Sequence, residues 1–135
     1  TLLAAIYGMQ IGLDLTKARS YGPKVSAAIN TAENLVPDSP RLALVKAISA
    51  YSTPVEYGGS MQHAIELGSR AIELFENPCD NICWGHAEAY VWRGLAKQNS
   101  GDRQGAIDDW QTALEVQTDH NWARFLLKQN TQASQ

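Results

Sequence analysis

Two stretches of the chain, 61–75 and 106–116, carry apolar residues at the three- and four-residue spacing of an amphipathic helix. Helical spacing alone explains the shared phase, but it does not explain why small residues recur at the same points. We therefore infer an internal repeat of a helical unit. With an offset of 42 residues, the matched positions are Ala64-Ile65 with Ala106-Ile107 and Ala71-Ile72 with Ala113-Leu114.

Turn-forming residues divide the rest of the chain into segments of helical length, rich in Ala, Leu, Ile, Glu and Gln. No segment alternates apolar and polar residues with β-branched enrichment, so we predict no sheet. The predicted turns are Tyr21-Gly22-Pro23, Pro37 to Pro40, Thr53-Pro54, Gly58-Gly59, Asn77-Pro78 and Gly101-Asp102.

The window 87–120 carries the most specific pattern, which includes Tyr90, Gly94, Ala106 and Trp110. It resembles a tetratricopeptide repeat, a helix–turn–helix unit of about 34 residues. The resemblance implies that the helices approach closely at Gly94, that Ala106 is the small residue of the second helix, and that Trp110 is its aromatic.

Some charged residues depart from the repeat pattern. Arg93 and Lys97 replace an expected Leu and Tyr, so this repeat either packs loosely there or directs a cation into a groove. Lys46 shares the repeat position of Arg93, and both either pair with acids of adjacent helices or hold an anionic partner. The pair Asp108-Asp109 is predicted to lie on a solvated helix face.

The resemblance implies an all-α superhelix of about three repeats, and a length of 135 residues suits a single domain over 1–135. We predict that the first repeat contains helices from Leu2 to Arg19 and from Lys24 to Leu35. The repeats fall at about 6–39, 40–77 and 87–120, and a capping helix follows at 121–130.

Two short motifs indicate a more specific group within this family. The step Pro37 to Arg41 and the turn Tyr57 to Gly59 resemble a group of small bacterial tetratricopeptide proteins, several of which are exported. The resemblance allows a location in either the bacterial cytoplasm or the periplasm, and it slightly favours an exported protein.

The composition excludes some partners. Eleven Lys and Arg against 14 Asp and Glu give a formal charge of −3, with no block of like charge, so nucleic acid is not an expected partner. The longest apolar stretch, Leu2 to Leu13, is shorter than the roughly 18 residues that a spanning helix needs. We therefore expect no membrane insertion.

The sequence predicts no catalytic residue and no cofactor. His63 and His120 are isolated, and His120 is placed to cap the following helix. The stretch Gly58-Gly59-Ser60 lacks the lysine and glycine spacing of a phosphate-binding loop. We predict a turn there, with Ser60 as the N-cap of the next helix.

Cys79, Cys83 and His86 form a C-x3-C-x2-H pattern in the insertion between the second and third repeats. The cysteines either remain free thiols or form a disulfide, which an exported protein permits. Zinc, with Asp80 as a fourth ligand, is the least favoured alternative because such a short loop rarely completes a tetrahedral site.

Helical phase places one face of the first helices of the middle and last repeats on a groove. An apolar floor with polar edges suits a peptide or an amphipathic helix. The alternative is ordinary core covered by 121–130. The groove residues are Arg41, Leu44, Val45, Ile48 and Tyr51 with Glu88, Val91, Trp92, Leu95 and Gln98.

The carboxylate clamp of this family, which holds chaperone C-termini, requires Lys, Arg and Asn on these helices. Leu44, Ile48, Val91 and Leu95 stand at those positions instead, so we do not expect that activity. The predicted function is a non-enzymatic protein-interaction module.

The first helix is apolar on more than one side, although an end helix of a stack usually has a polar outer face. Either a preceding segment covers it or it contacts another molecule, and a homodimer is plausible. The alternative function is therefore a self-associating structural subunit, with a metal-binding protein less favoured. The self-association residues are Leu2, Leu3, Ile6 and Tyr7.

Overall fold

The computed structural model describes residues 1–77 and 84–132, which form helices and turns and contain no β-strand. The predicted all-α class is confirmed. The seven α-helices of these residues are α1 (Leu2–Leu13), α2 (Ala18–Leu35), α3 (Pro40–Ser52), α4 (Met61–Glu76), α5 (His86–Asn99), α6 (Arg103–Val116) and α7 (Asn121–Gln132).

Helices that are consecutive in the chain pack as pairs: α1 with α2, α3 with α4, and α5 with α6. The pairs are stacked, because α4 packs extensively on α5, and α7 packs on α6 at the end of the stack. The N-terminal pair contacts α3 over a much smaller area. This is the predicted superhelix of about three helix pairs followed by a C-terminal helix.

Side-chain caps begin several of these helices. The hydroxyl of Ser60 accepts a hydrogen bond of 3.2 Å from the backbone N–H of His63 at the start of α4, as predicted. The carboxylate of Asp102 accepts one of 2.9 Å from the N–H of Gly105 in α6. The imidazole Nδ1 of His120 accepts one of 3.3 Å from Ala123 and caps α7, also as predicted.

The helix break in the N-terminal pair was predicted at the wrong place. It lies at Asp14, whose extended backbone (φ −151°) ends α1 and whose carboxylate accepts hydrogen bonds from the Thr16 hydroxyl (2.6 Å) and backbone (3.1 Å). The side-chain bond is the main reason that the pKa of Asp14 is lowered. Helix α2 continues through Pro23, which lies beyond its first turn and leaves the Arg19 carbonyl without an N–H donor from residue 23.

The core consists of two clusters. The first is centred on Trp110 and lies between α5, α6 and α7, and the second includes Leu44 and Phe75 and lies between α3, α4 and α5. A Cβ on Gly94 would lie 2.5 Å from the Trp110 Nε1, so the close approach predicted at Gly94 is the contact with this ring. The Trp110 N–H donates to the Val91 carbonyl at 3.3 Å.

The charges that depart from the repeat pattern meet inside the protein. Asp109 is only 4% exposed, which corrects its predicted place on a solvated face. The Arg93 guanidinium donates to both Asp109 oxygens at 2.9 and 2.6 Å and to the Ser69 hydroxyl at 3.1 Å. The Lys97 ammonium lies 3.0 Å from Asp109 Oδ2. The cations therefore complete the packing of α4, α5 and α6 instead of pointing into a groove.

Lys46 of α3 also pairs with an acid of an adjacent helix, because its ammonium donates to the carboxylate of Glu33 in α2. Between the two predicted alternatives, the structure therefore favours pairing within the chain for both Lys46 and Arg93.

Candidate ligand-binding surface

Three aromatic side chains from three different helices form a continuous row. The ring of Trp92 in α5 lies 5.4 Å from that of Tyr51 in α3 at an interplanar angle of 70°. It also lies 5.1 Å from the ring of Trp122 in α7 at 79°. Both contacts are edge-to-face, the geometry that aromatic quadrupoles prefer. We call Tyr51, Trp92 and Trp122 the aromatic row.

Amide side chains hold the helices that carry the row. The Asn99 amide of α5 donates to the Tyr51 hydroxyl at 3.1 Å, which links α5 to the end of α3. The Gln98 amide donates to the Asn130 side-chain oxygen at 2.6 Å, which links α5 to α7. Both bonds therefore connect helices that carry a ring of the row.

The aromatic row is only partly covered by protein. Tyr51 and Trp92 are half-buried, and Trp122 is 38% exposed. Phe125, one helical turn beyond Trp122 on α7, is 53% exposed. An apolar ligand in contact with these rings would therefore remove a large aromatic area from water, which is the main source of binding free energy at protein interfaces.

Two of the ten residues predicted to line the groove are core residues instead. Leu44 is 5% exposed because it packs with Phe75, and Val91 is fully buried beside Trp110. Helical phase placed both on the inward face of their helix, and that face is covered by the neighbouring helices.

The other predicted groove residues are half-buried. Ile48 packs against the cluster of α3, α4 and α5, and Leu95 packs against the cluster of α5, α6 and α7. Among the ten, the structure brings the rings of Tyr51 and Trp92 together. Leu44 and Val91 are therefore ordinary core residues, which was the alternative prediction for this face.

The two charged groove residues already have partners within the chain. The Arg41 guanidinium lies 5.0 Å from the centre of the Trp84 ring, a cation–π contact. The Glu88 carboxylate lies 3.9 Å from Nε2 of His120. The aromatic row itself has no charged member.

Sequence reasoning did not assign Trp122 and Phe125 to the site. It predicted that the helix carrying them caps the stack, and α7 does so through the buried Ala123 and Leu126. Their spacing gave no signal of an exposed position, because Trp122, Phe125 and the buried Leu126 stand at i, i+3 and i+4 and so form one stripe in the sequence.

The N-terminal pair presents a second apolar surface. Three of the predicted self-association residues, Leu2, Leu3 and Ile6, are 68%, 52% and 44% exposed. The fourth, Tyr7, is half-buried because its ring lies 5.4 Å from that of Tyr21. An open cleft of about 270 Å³ between α1 and α2 is lined by Leu3, Tyr7, Lys24, Ala27, Ala28 and Thr31.

Lys24 was not predicted to belong to this surface, because the sequence placed a turn at residues 21–23. In the continuous helix α2, its ammonium lies 4.7 Å from the centre of the Tyr21 ring and 5.6 Å from that of Tyr7. The two tyrosines therefore share one cation at the rim of the cleft.

Of the three residues in the C-x3-C-x2-H pattern, the structure describes only His86. Cys79 and Cys83, and with them the predicted disulfide, lie outside the described residues. The His86 imidazole stacks 5.6 Å from the ring of Phe75 and lies 5.5 Å from that of Tyr90. Burial is the main reason that the pKa of Tyr90 is raised.

Within residues 1–77 and 84–132, the helices lack the combination of length and apolar character that a bilayer crossing requires. No protein-family model and no curated protein matches this chain.

Proposed function

We propose that this protein is a non-enzymatic interaction module of the tetratricopeptide type, which binds a peptide segment of a partner protein on the aromatic row. One observation carries the proposal: three rings from α3, α5 and α7 touch in sequence and remain partly exposed. Tryptophan and tyrosine are the side chains most enriched at positions that dominate binding energy.

The contacts between the rings of the row support this proposal. A ring that already contacts its neighbours loses little rotamer freedom when a ligand binds, so less of the interaction energy is lost to ordering. Trp92 contacts a ring on either side, and Asn99 bonds the Tyr51 hydroxyl.

The kinship with tetratricopeptide repeats is supported by the sequence pattern around Gly94 and by the packing of Trp110 against that glycine. It is also supported by the pairing of consecutive helices along the chain. Repeat stacks of this kind present the first helices of successive units on one extended surface, and Tyr51, Trp92 and Trp122 belong to α3, α5 and α7.

The test is selection from a displayed library of random peptides, followed by affinity measurement with purified variants. We expect peptides selected on the wild-type protein to bind Trp122→Ala at least tenfold more weakly, since truncating a binding hot spot costs about 2 kcal/mol or more. The matched control is Tyr57→Ala, because Tyr57 is an aromatic residue that is 79% exposed outside the row.

Circular dichroism establishes that both variants keep the wild-type helix content. Equal binding of the selected peptides to wild type and Trp122→Ala would contradict the proposal. The same conclusion would follow if the selection gave no peptide that binds the wild-type protein.

A second candidate function is self-association through α1. Helix α1 carries no charged side chain over its whole length and leaves Leu2, Leu3 and Met9 more than half exposed. A two-fold interface brings each residue near its own copy, so an uncharged helix can pair with itself without like-charge repulsion.

Light scattering after size-exclusion chromatography tests this second candidate. A dimer that becomes monomeric in Leu3→Glu and stays dimeric in Val55→Glu is the expected result, since Val55 is an apolar residue 78% exposed on another surface. A wild-type monomer at high concentration would contradict it.

A further inference from the structure

The hydrogen-bond donors of the aromatic row narrow the class of ligand. The indole N–H of the core residue Trp110 donates to the Val91 carbonyl. Those of Trp92 and Trp122 donate to no residue in the described part of the chain. Tyrosine adds a third polar group, although its hydroxyl already accepts a bond from Asn99. The row therefore offers aromatic faces together with two indole donors that bond no described residue and are open to a ligand acceptor.

The backbone of an α-helix is a poor source of those acceptors. Its carbonyl oxygens are used by its own N–H groups four residues further along the chain. A polyproline II segment has no internal hydrogen bonds, so its carbonyls point outward and are available to side-chain donors. Proline rings also pack on aromatic faces, which is how aromatic-lined grooves recognise extended proline-rich segments.

The charge of the surface points to the same ligand. The aromatic row includes no carboxylate, ammonium or guanidinium group, and the adjoining bonds are made by the amides of Gln98 and Asn99. The two charged residues predicted for the groove, Arg41 and Glu88, lie beside Trp84 and His120. An uncharged ligand matches this surface better than an acidic or basic segment, because it brings no charge to be desolvated.

We propose that the aromatic row binds an uncharged, proline-rich segment in the polyproline II conformation, with its carbonyl oxygens accepting from the indoles of Trp92 and Trp122. This inference rests on the proposed function, because it specifies the class of peptide that the same surface takes. The juxtaposition that carries it is two indole donors that bond no described residue, beside rings that remain partly exposed.

Nuclear magnetic resonance tests the inference at the atoms concerned. The chain has four tryptophans, so ¹⁵N-labelled protein gives four indole N–H signals, each assigned from a Trp→Phe variant. The probe is a blocked oligoproline of about nine residues, three turns of polyproline II. We expect saturable shifts of the Trp92 and Trp122 signals. Trp110, which is buried and bonded, and Trp84, which lies outside the row, serve as internal controls.

Substitutions at Trp122 distinguish the contribution of its indole N–H to binding from the contribution of its aromatic ring. Trp122→Phe keeps an aromatic face and removes the N–H, so the affinity for oligoproline should fall about threefold to tenfold, the range of one net hydrogen bond. Trp122→Ala removes both and should weaken binding more than tenfold. Tyr57→Ala should bind as the wild type does.

A blocked amphipathic helical peptide of similar length distinguishes the inference from the proposed function. Shifts of the Trp92 and Trp122 signals by the helical peptide but not by oligoproline would overturn the inference and leave the proposed function in place. Absence of any shift with oligoproline also overturns the inference, and the peptide-display selection then decides the proposed function separately. Oligoproline binding that is unchanged in Trp122→Phe would overturn the role of the indole donor.

Discussion

At the scale of single residues, Asp109 shows how a prediction from residue type can be wrong. Its charge led to a predicted place on a solvated face, although it follows Ala106 by three positions and precedes Ala113 by four, a spacing typical of the buried face of α6. Phase cannot identify its partners, because Arg93 and Lys97 come from another helix and approach it only once α5 and α6 have packed. Their departure from the repeat pattern was the one signal of a buried ion cluster.

We predict that Asp109→Asn destabilises the protein by about 2–4 kcal/mol, because it leaves two cations without their counter-charge in a partly buried site. The effect should stay below the largest values for buried pairs, since the Arg93 and Lys97 side chains remain 18% and 21% exposed. Urea denaturation measures the free energy of unfolding. The neighbouring Asp108→Asn, at an exposed position, should change it by less than about 0.5 kcal/mol. Similar values for the two variants would show that the cluster does not stabilise the fold.

Gly94 gives a second prediction at this scale. In Gly94→Ala, the new methyl group would clash with the Trp110 ring, which the surrounding core holds in place, so we expect a loss of about 1–3 kcal/mol. Gly8→Ala is the matched control, because Gly8 lies inside α1, is not followed by a proline, and has no other part of the structure within 4 Å of the added methyl group. It should stabilise by about 0.5–1 kcal/mol through helix propensity. Thermal unfolding compares the two, and a shift of the same sign would contradict the prediction.

At the scale of helices, amphipathic periodicity predicted α4 to α7 well because their stripes are regular and their caps are recognisable. The N-terminal pair was harder because Gly22 and Pro23 resemble a helix stop, whereas the actual stop is an extended Asp14 with its own hydrogen bonds. Asp14 and Pro23 are both compatible with a helix stop, and neither residue type alone shows which of the two ends the helix.

The N-terminal pair is also predicted to be the least stable element. Few residues of α1 and α2 are buried, namely Ala4, Val25 and Ala32. Their contact with the rest of the stack is small compared with that between α4 and α5. Segments with fewer buried apolar residues and smaller contacts unfold locally at a lower free energy. The amides of α1 and α2 should therefore exchange with solvent well before those of α5 and α6. Native-state hydrogen exchange measures this directly. Equal protection along the chain would mean that the stack unfolds as a single unit.

At the scale of the whole molecule, the stacking of helix pairs could be predicted because a repeated unit must bury its apolar face against its neighbours. The candidate site could be predicted only in part. Tyr51 and Trp92 follow from the phase of α3 and α5, but Trp122 joins them through the way α7 lies across the end of the stack. A contact between three helices depends on their relative placement, which no periodicity within one helix contains.

Each ring of the aromatic row belongs to a different layer of the stack, and this has a mechanical consequence. A stack of helix pairs flexes at the joints between its layers, and any such flexing must alter the separations between Tyr51, Trp92 and Trp122. A ligand that contacts all three rings would therefore restrain movement between these layers. Binding at the row and the flexibility of the stack are coupled for this reason.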